Sequence, residues 1–358
     1  INQSLKINYP VVKNISKPII ICTDFSNSEI IKVSEKYNIP IFMECHGLRY
    51  GVKSNNIISS YEFICSYIDL KPDIIIRFGR KPISNKLNEL LENNKNITHL
   101  FSKGKNINDD AKYILDANIE DLSSYLKDSN FGIDISWLNS IINYQKIIRD
   151  YFDIFFKKTR EHEGCIINKI VSKLPSNSNL LIGNSSPIRD LDKFTFNQEK
   201  HINIFSNRGV SGIDGVISTA IGMSIDKKYI NSLIIGDISF YYDMSSLINN
   251  RMIPANLNIF IINNYGGHIF DRLEGLSTEQ NYDKYWLTPV KVDIKDFAKS
   301  FGCKYKKIDL KSFNQIDNTI EEVNKVRQGI QLIEVEVNSK QHYLVNQKIN
   351  RQIKGLLS

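Results

Sequence analysis

The chain has 358 residues, 42% hydrophobic and 24% charged, with 46 Lys and Arg against 39 Asp and Glu for a net charge of +7. That length suggests two domains and permits three, and the balance is that of a folded globular protein rather than a disordered or fibrous one. The longest purely apolar runs, Ile74-Ile75-Ile76 and Ile259 to Ile262, are far too short to span a bilayer, so no transmembrane helix is expected.

The excess of Lys is scattered among Asp and Glu rather than gathered into a stripe with interleaved aromatics, which argues against a nucleic-acid partner. The five cysteines (Cys22, Cys45, Cys65, Cys165, Cys303) are odd in number, far apart and form no CxxC. Reduced thiols in a cytoplasmic setting are the expectation, with neither a disulfide framework nor a zinc site. Ile1-Asn2-Gln3-Ser4 has no basic n-region followed by an apolar stretch, so no signal peptide is expected. The first residue is not Met, and a fragment or processed product is a reading kept open.

Apolar β-branched bursts alternate with amphipathic stretches, the pattern of an α/β protein with mostly parallel sheets flanked by helices. In chain order, strands are predicted at Pro18 to Cys22, Pro40 to Met43, Asp73 to Phe78 and Thr98 to Phe101. Helices are predicted between them at Ser28 to Tyr37, Ser60 to Leu70 and Ser84 to Asn93, followed by a long helix, Ile135 to Lys158. The charged stretch Thr159 to Gly164 reads as a domain boundary, giving domains 1–158 and 159–358. In the second half, strands are predicted at Asn179 to Ile182, Ile202 to Phe205, Leu233 to Gly236, Leu257 to Ile262 and Gln331 to Val337. Helices are predicted at Gly209 to Ser224, Asp243 to Arg251, Ile294 to Phe301 and Ser312 to Arg327. The tail, Gln347 to Ser358, reads as a short surface helix or a frayed end, and no internal repeat is visible.

Chemistry concentrates between Asn207 and Phe270. The run Leu233-Ile234-Ile235 ends in Gly236-Asp237, and a second run ends at Ile262, twenty-five residues after Asp237, leading into Asn263-Asn264-Tyr265-Gly266-Gly267. With a helix between them, the two strands are parallel and finish on the same sheet edge. Neighbouring strands would bring Asp237 and Asn264 within roughly 5 to 10 Å, the reach of one bound ion. A carboxylate, an amide oxygen and a nearby backbone carbonyl suit a hard cation such as magnesium, leaving positions for phosphate oxygens and water. Gly266 and Gly267 remove Cβ where a backbone must approach a diphosphate, and offer it amide donors. Read singly, Gly-Asp after a strand and Asn-Asn-Tyr-Gly-Gly are turn punctuation. Their spacing on consecutive strand ends is what makes a site of them.

Gly236-Asp237 followed by Asn263-Asn264 resembles the metal–diphosphate motif of thiamine-diphosphate enzymes, with Ile238 where a glycine often follows the Asp. Three longer segments, Gly183 to Asp190, Ser206 to Gly215 and Asn263 to Phe270, resemble one branch of that family, the 2-succinyl-5-enolpyruvyl-6-hydroxy-3-cyclohexene-1-carboxylate synthases of menaquinone biosynthesis. His46-Gly47-Leu48-Arg49 and Arg77-Phe78-Gly79-Arg80-Lys81-Pro82 resemble the family's central domain. The resemblance covers nearly the whole chain, but only the central and C-terminal of three family domains. It implies a carboligase that decarboxylates 2-oxoglutarate and adds the succinyl-semialdehyde carbanion to isochorismate, using thiamine diphosphate and Mg2+ or Mn2+. The pyrimidine-binding domain that carries the family's activating glutamate has no counterpart here. No catalytic residue is therefore assignable, the chain alone is expected to be inactive, and a partner domain or subunit in a homodimer or homotetramer would complete it.

The resemblance also distributes roles. Asp237, Asn264 and the Gly266 carbonyl would bind the metal, and Ser239, Gly267, His268 and Ile269 would lie along the diphosphate. Ile213 would be the apolar wedge that bends the cofactor. Arg189 and Arg208 would grip substrate carboxylates through guanidinium forks, with Ser185 as a hydrogen-bond partner and Phe270 and Leu273 on the apolar side of the pocket. Lys86 would add a cation from the central domain, although Asn85 stands at the preceding position, where the family often has Lys. The plain alternatives are a solvated surface for the arginines, a solvent-facing loop for His268 and a core position for Ile213. Asp243 is expected to cap its own helix rather than to touch substrate. Two other functions stay open: an acetolactate-synthase-like decarboxylase or carboligase, and a non-catalytic binding module. A Rossmann dehydrogenase is disfavoured because no GxGxxG opens a helix after a strand.

Overall fold

The computed structural model describes residues 14–24, 27–47, 49–103, 109, 111–128, 134–196, 199–253, 255–273, 275–310, 313–325 and 328–358. Leu48 and the expected helix limits Ser312 and Arg327 lie outside the described residues, as does the opening Ile1 to Ser4. The described chain divides into two compact units. The first comprises residues 1–152, 196–199 and 353–358, and the second residues 153–195 and 200–352.

In the first unit the elements run β1 (Pro18–Cys22), α1 (Glu29–Tyr37), β2 (Ile41–Met43), β3 (Ile57–Ile58), α2 (Tyr61–Tyr67), β4 (Ile74–Phe78), α3 (Asn85–Asn93), β5 (Thr98–Phe101), β6 (Tyr113–Leu115) and α4 (Ile119–Asp128). The strands form one parallel sheet in the order β3-β2-β1-β4-β5-β6. Every residue of β1 and β4 is buried, as expected of parallel strands covered on both faces. The short strands β3 and β6 and helix α4 are absent from the sequence reading. β3 has two residues, and β6 leaves Tyr113 and Ile114 partly exposed, so neither carries an apolar run long enough to register.

Helix α5 (Ile135–Lys158) spans the division between the units in sequence. The second unit continues with α6 (Glu163–Lys173), β7 (Ser178–Ile182), α7 (Ser186–Phe194), β8 (Ile202–Phe205), α8 (Val216–Met223), β9 (Ile230–Gly236), α9 (Asp237–Asp243) and β10 (Asn256–Asn263). It closes with α10 (Ile294–Ser300), β11 (Lys304–Ile308), α11 (Phe313–Val323), β12 (Gly329–Glu336) and α12 (Ser339–Leu357). A second parallel sheet has the order β11-β12-β10-β9-β7-β8. The core lies against β9 and β10, where Leu233, Ile235, Leu257, Ile259 and Ile261 pack with Val216, Ile217 and Phe240.

Two expected helices are corrected. The segment from Gly209 is not helical until Val216: Ser211 and Gly215 both have positive φ, of 58° and 67°, and Gly215 precedes the first helical turn. The crossover after β9 is not a helix over Asp243 to Arg251. α9 begins at Asp237 itself, and Met244–Arg251 is a 3₁₀ segment whose Ser and Asn residues compete for backbone hydrogen bonds. Asp243 consequently does not cap its own segment. Its Oδ2 accepts from the Ser218 backbone N–H at 2.9 Å, so it satisfies an open donor in the first turn of α8 instead.

Candidate active site

From β7 the chain moves to β8 on one side and to β9 on the other, so the order of the second sheet reverses at β7. Parallel sheets open a crevice at the carboxyl ends of the strands flanking such a reversal. The ends of β7, β9 and β10 border a cavity of about 270 Å³ there. Its lining includes Ser185, Ile213, Asp237, Ser239, Asn264, Gly266, Gly267, His268, Ile269 and Phe270. Register sets the level: Ile262 pairs with Gly236, so Asp237 and Asn263-Asn264 leave the sheet side by side.

Asp237 is 2% exposed. Its Oδ1 accepts from the Ile238 N–H at 2.8 Å and its Oδ2 from the Gly266 N–H at 2.9 Å, which ties the end of β9 to the loop after β10. Burial pushes its carboxyl up to about 6, against those two hydrogen bonds and with the Glu163 carboxylate adding to the rise. Asn264 donates from Nδ2 to Glu163 Oε1 at 2.8 Å. Its Oδ1 is buried and has no hydrogen-bond partner among the described residues. A buried acceptor left open is costly unless something occupies it. The donor set fits a hard divalent cation: one carboxylate, one open amide oxygen and the Gly266 carbonyl on the same loop. Asn263, the other asparagine of the pair, is structural, with Nδ2 donating to Glu334 and Oδ1 accepting from the Tyr265 N–H.

The glycines play a different part from the one expected. A Cβ on Gly266 would lie 2.6 Å from the Leu287 carbonyl oxygen, and one on Gly267 would lie 2.6 Å from that of Trp286. The Gly267 N–H donates to Leu287 O at 2.7 Å, and the Gly266 N–H is taken by Asp237. The missing Cβ atoms thus make room for the π-helical turn Asp283–Leu287, and neither amide is free for a phosphate. Next along, His268 Nδ1 contacts Asp271 Oδ2 at 2.7 Å, and Tyr282 OH donates to Asp271 Oδ1 at 2.5 Å. Phe270 stacks edge-on against Trp286.

Ser185 holds a positive φ of 72°, a conformation that costs energy for a residue with a side chain and that gathers at functional sites. Arg189 Nη1 donates to the Ser185 carbonyl at 2.7 Å, and Arg208 Nη1 donates to Asn184 Oδ1 at 2.9 Å. Arg189 thus holds a residue of the cavity rim and Arg208 the residue before it, and neither arginine lines the cavity. Leu273 is 53% exposed and outside the lining. Lys86 belongs to the first unit, where it pairs with Glu89 on the same helix at 2.6 Å.

Several residues that the sequence did not single out surround the site. Glu163, Ser186, Pro187, Tyr242, Tyr285 and Trp286 all line the cavity. Behind it, Arg272 Nη2 lies 2.7 and 2.9 Å from the two oxygens of Asp190, which is 1% exposed. Burial alone would raise that carboxyl, but Arg272, His342 and His162 together hold it below its usual range. His162 and His342 stack with ring centres 4.5 Å apart, and burial and its neighbour push the His162 imidazole down to about 3. Glu163, Asp190 and His342 bring three ligand atoms within 4.8 Å of one another. Arg272 already supplies the positive charge there.

Residues 190–335 match the family model of the thiamine pyrophosphate enzyme C-terminal TPP binding domain. The second unit thus resembles that domain, with its cavity at the strand ends where open parallel sheets carry ligands. Over 356 residues, 97% of its length, the chain is 30% identical to the 2-succinyl-5-enolpyruvyl-6-hydroxy-3-cyclohexene-1-carboxylate synthase of Staphylococcus aureus strain MSSA476. It is 29% identical over 368 residues to the synthase of the same name from Bacillus cytotoxicus. The chain is thus similar to these synthases over nearly its whole length. It covers 62% of the first relative's length and 60% of the second's.

Proposed function

We propose that the chain is the central and C-terminal part of a thiamine-diphosphate-dependent carboligase of menaquinone biosynthesis. The complete enzyme would decarboxylate 2-oxoglutarate and join the four-carbon fragment to isochorismate. The observation that carries this reading is the open, buried Oδ1 of Asn264 beside the Asp237 carboxylate on adjacent strand ends. Asp237, Asn264 and the Gly266 carbonyl would hold Mg2+ or Mn2+, and through it the diphosphate. Ser239, Gly267, His268 and Ile269 line the same cavity, which supports their place along the cofactor, and Ile213 supports it from the apolar side. Bound thiamine diphosphate supplies the electron sink that lets a 2-oxo acid lose carbon dioxide and pass on an acyl carbanion equivalent.

The chain's own contribution is anchoring and orientation. Arg189 and Arg208 would turn from their Ser185 and Asn184 contacts to take substrate carboxylates, each hydrogen bond to a backbone or amide oxygen being exchanged for a charge-assisted one. Ser185 would add a hydrogen bond, and Phe270 would cover the apolar face. The activating glutamate would come from a pyrimidine-binding domain, in a cytoplasmic homodimer or homotetramer.

Complementation tests the reading. The chain would be assayed alone and with the pyrimidine-binding domain of the Staphylococcus aureus relative, following carbon dioxide release from 2-oxoglutarate and consumption of isochorismate. Turnover is expected only with the added domain. Turnover by the chain alone, or a preference for pyruvate over 2-oxoglutarate, would overturn it, the second outcome favouring the acetolactate-synthase-like alternative. Cofactor binding without turnover in either mixture would leave a binding module.

A further inference from the structure

We propose that Glu163 is a positioning residue for the divalent cation: it fixes the Asn264 carboxamide so that its oxygen, and not its NH2, faces the cavity. This rests on the reading of Asp237, Asn264 and Gly266 as a metal site.

An asparagine side chain is nearly symmetric in shape, and only its hydrogen-bond partners decide which end points where. A carboxylate oxygen that accepts a hydrogen bond selects the NH2 end. Here Asn264 Nδ2 donates to Glu163 Oε1 at 2.8 Å, and the oxygen turns the other way. That oxygen is the one left buried without a partner. Glu163 is itself held. It is 3% exposed, stands in the first turn of α6 where the helix end favours negative charge, and its N–H lies 3.2 Å from His342 Nδ1. Nothing else on Asn264 selects the orientation among the described contacts. With Glu163 absent, the NH2 group could swing toward the cation and repel it.

Mn2+ binding to the chain in the presence of thiamine diphosphate, read by electron paramagnetic resonance, tests this. D237N controls for the metal reading and should weaken Mn2+ binding by about ten-fold or more. E163A should weaken it by about ten-fold, in the range for residues that orient a metal ligand, whereas E163Q should stay within about three-fold because a Gln carbonyl can still accept from Asn264. In an N264D background both side-chain ends are oxygens, so adding E163A should no longer weaken binding. Folding of each variant is checked by its melting transition.

If the unsubstituted chain binds no Mn2+, or D237N binds as it does, the metal site itself is wrong. If D237N weakens binding but E163A does not, only the positioning role falls. Equal losses in E163Q and E163A would show that the charge of Glu163 acts rather than its hydrogen bond. An E163A penalty that persists in N264D would show a general structural role. Either result overturns the proposal.

Discussion

Removing Arg272 should strand a buried charge directly behind the candidate site. Asp190 is 1% exposed, and both its oxygens lie within 3 Å of Arg272 Nη2, at 2.7 and 2.9 Å. Charge centres about 4 Å apart attract by about 4 kcal/mol at an effective dielectric near 20. A third of the Arg272 side chain is exposed, so screening brings the net coupling to about 2 kcal/mol. Truncation adds the penalty of an unpaired buried carboxylate, and R272A should lose about 3 kcal/mol of unfolding free energy at pH 8. The loss should be non-additive: D190N leaves nothing to compensate, so D190N/R272A should be more stable than R272A alone. Urea unfolding followed by fluorescence suits the test, because Trp286 packs against Phe270 in the loop that ends at Arg272. R272A within about 0.5 kcal/mol of the unsubstituted chain, or a double variant weaker than R272A, would refute the reasoning.

Gly267→Ala should force the loop away from the Trp286 carbonyl, 2.6 Å from the new Cβ, costing about 2 kcal/mol in unfolding experiments and weakening cofactor binding; unchanged values would mean the loop gives freely. Asp243→Ala should lose about 1 kcal/mol by leaving the Ser218 N–H open in the first turn of α8, with S218A recovering none of it, since the backbone donor remains. Acid should destabilise the second unit through His162. Its folded value near 3 lies below the ordinary 6.5, so the neutral form is favoured by folding: the contribution is complete above pH 6.5 and is lost as pH falls toward 3. Near pH 5 the loss is about 2 kcal/mol, and a midpoint that is flat between pH 7 and pH 5 would contradict the burial argument.

The central strands of the second sheet were legible because each is an apolar run buried on both faces, whereas edge strand β11, Lys-Tyr-Lys-Lys-Ile with only Ile308 buried, carries no such run and is absent from the sequence reading. β8 agrees with the sequence reading at both ends, and β9 and β10 differ only at their margins. Asp237 and Asn264 were legible for the same reason: a polar residue that ends such a run must lie at the sheet edge. Glu163 was not. It sits in a charged stretch with Arg160 and Glu161, and nothing local separates it from its solvent-facing neighbours until α6 begins there and buries it. Asp190 and Arg272 are 82 residues apart, a pairing only the tertiary structure defines. Gly266 and Gly267 were correctly read as positions that need no Cβ, but the close neighbour is the chain's own turn at Trp286 and Leu287. The helices expected at Gly209 and Asp243 failed where positive-φ residues and Ser and Asn favoured loop and 3₁₀ geometry over the α-helix.

An anomalous difference map of crystals grown with Mn2+ and thiamine diphosphate would show directly where a cation is held. The account predicts a peak about 2.2 Å from an Asp237 carboxylate oxygen, Asn264 Oδ1 and the Gly266 carbonyl oxygen. A peak instead among Glu163, Asp190 and His342, or none at the ends of β9 and β10, would contradict it.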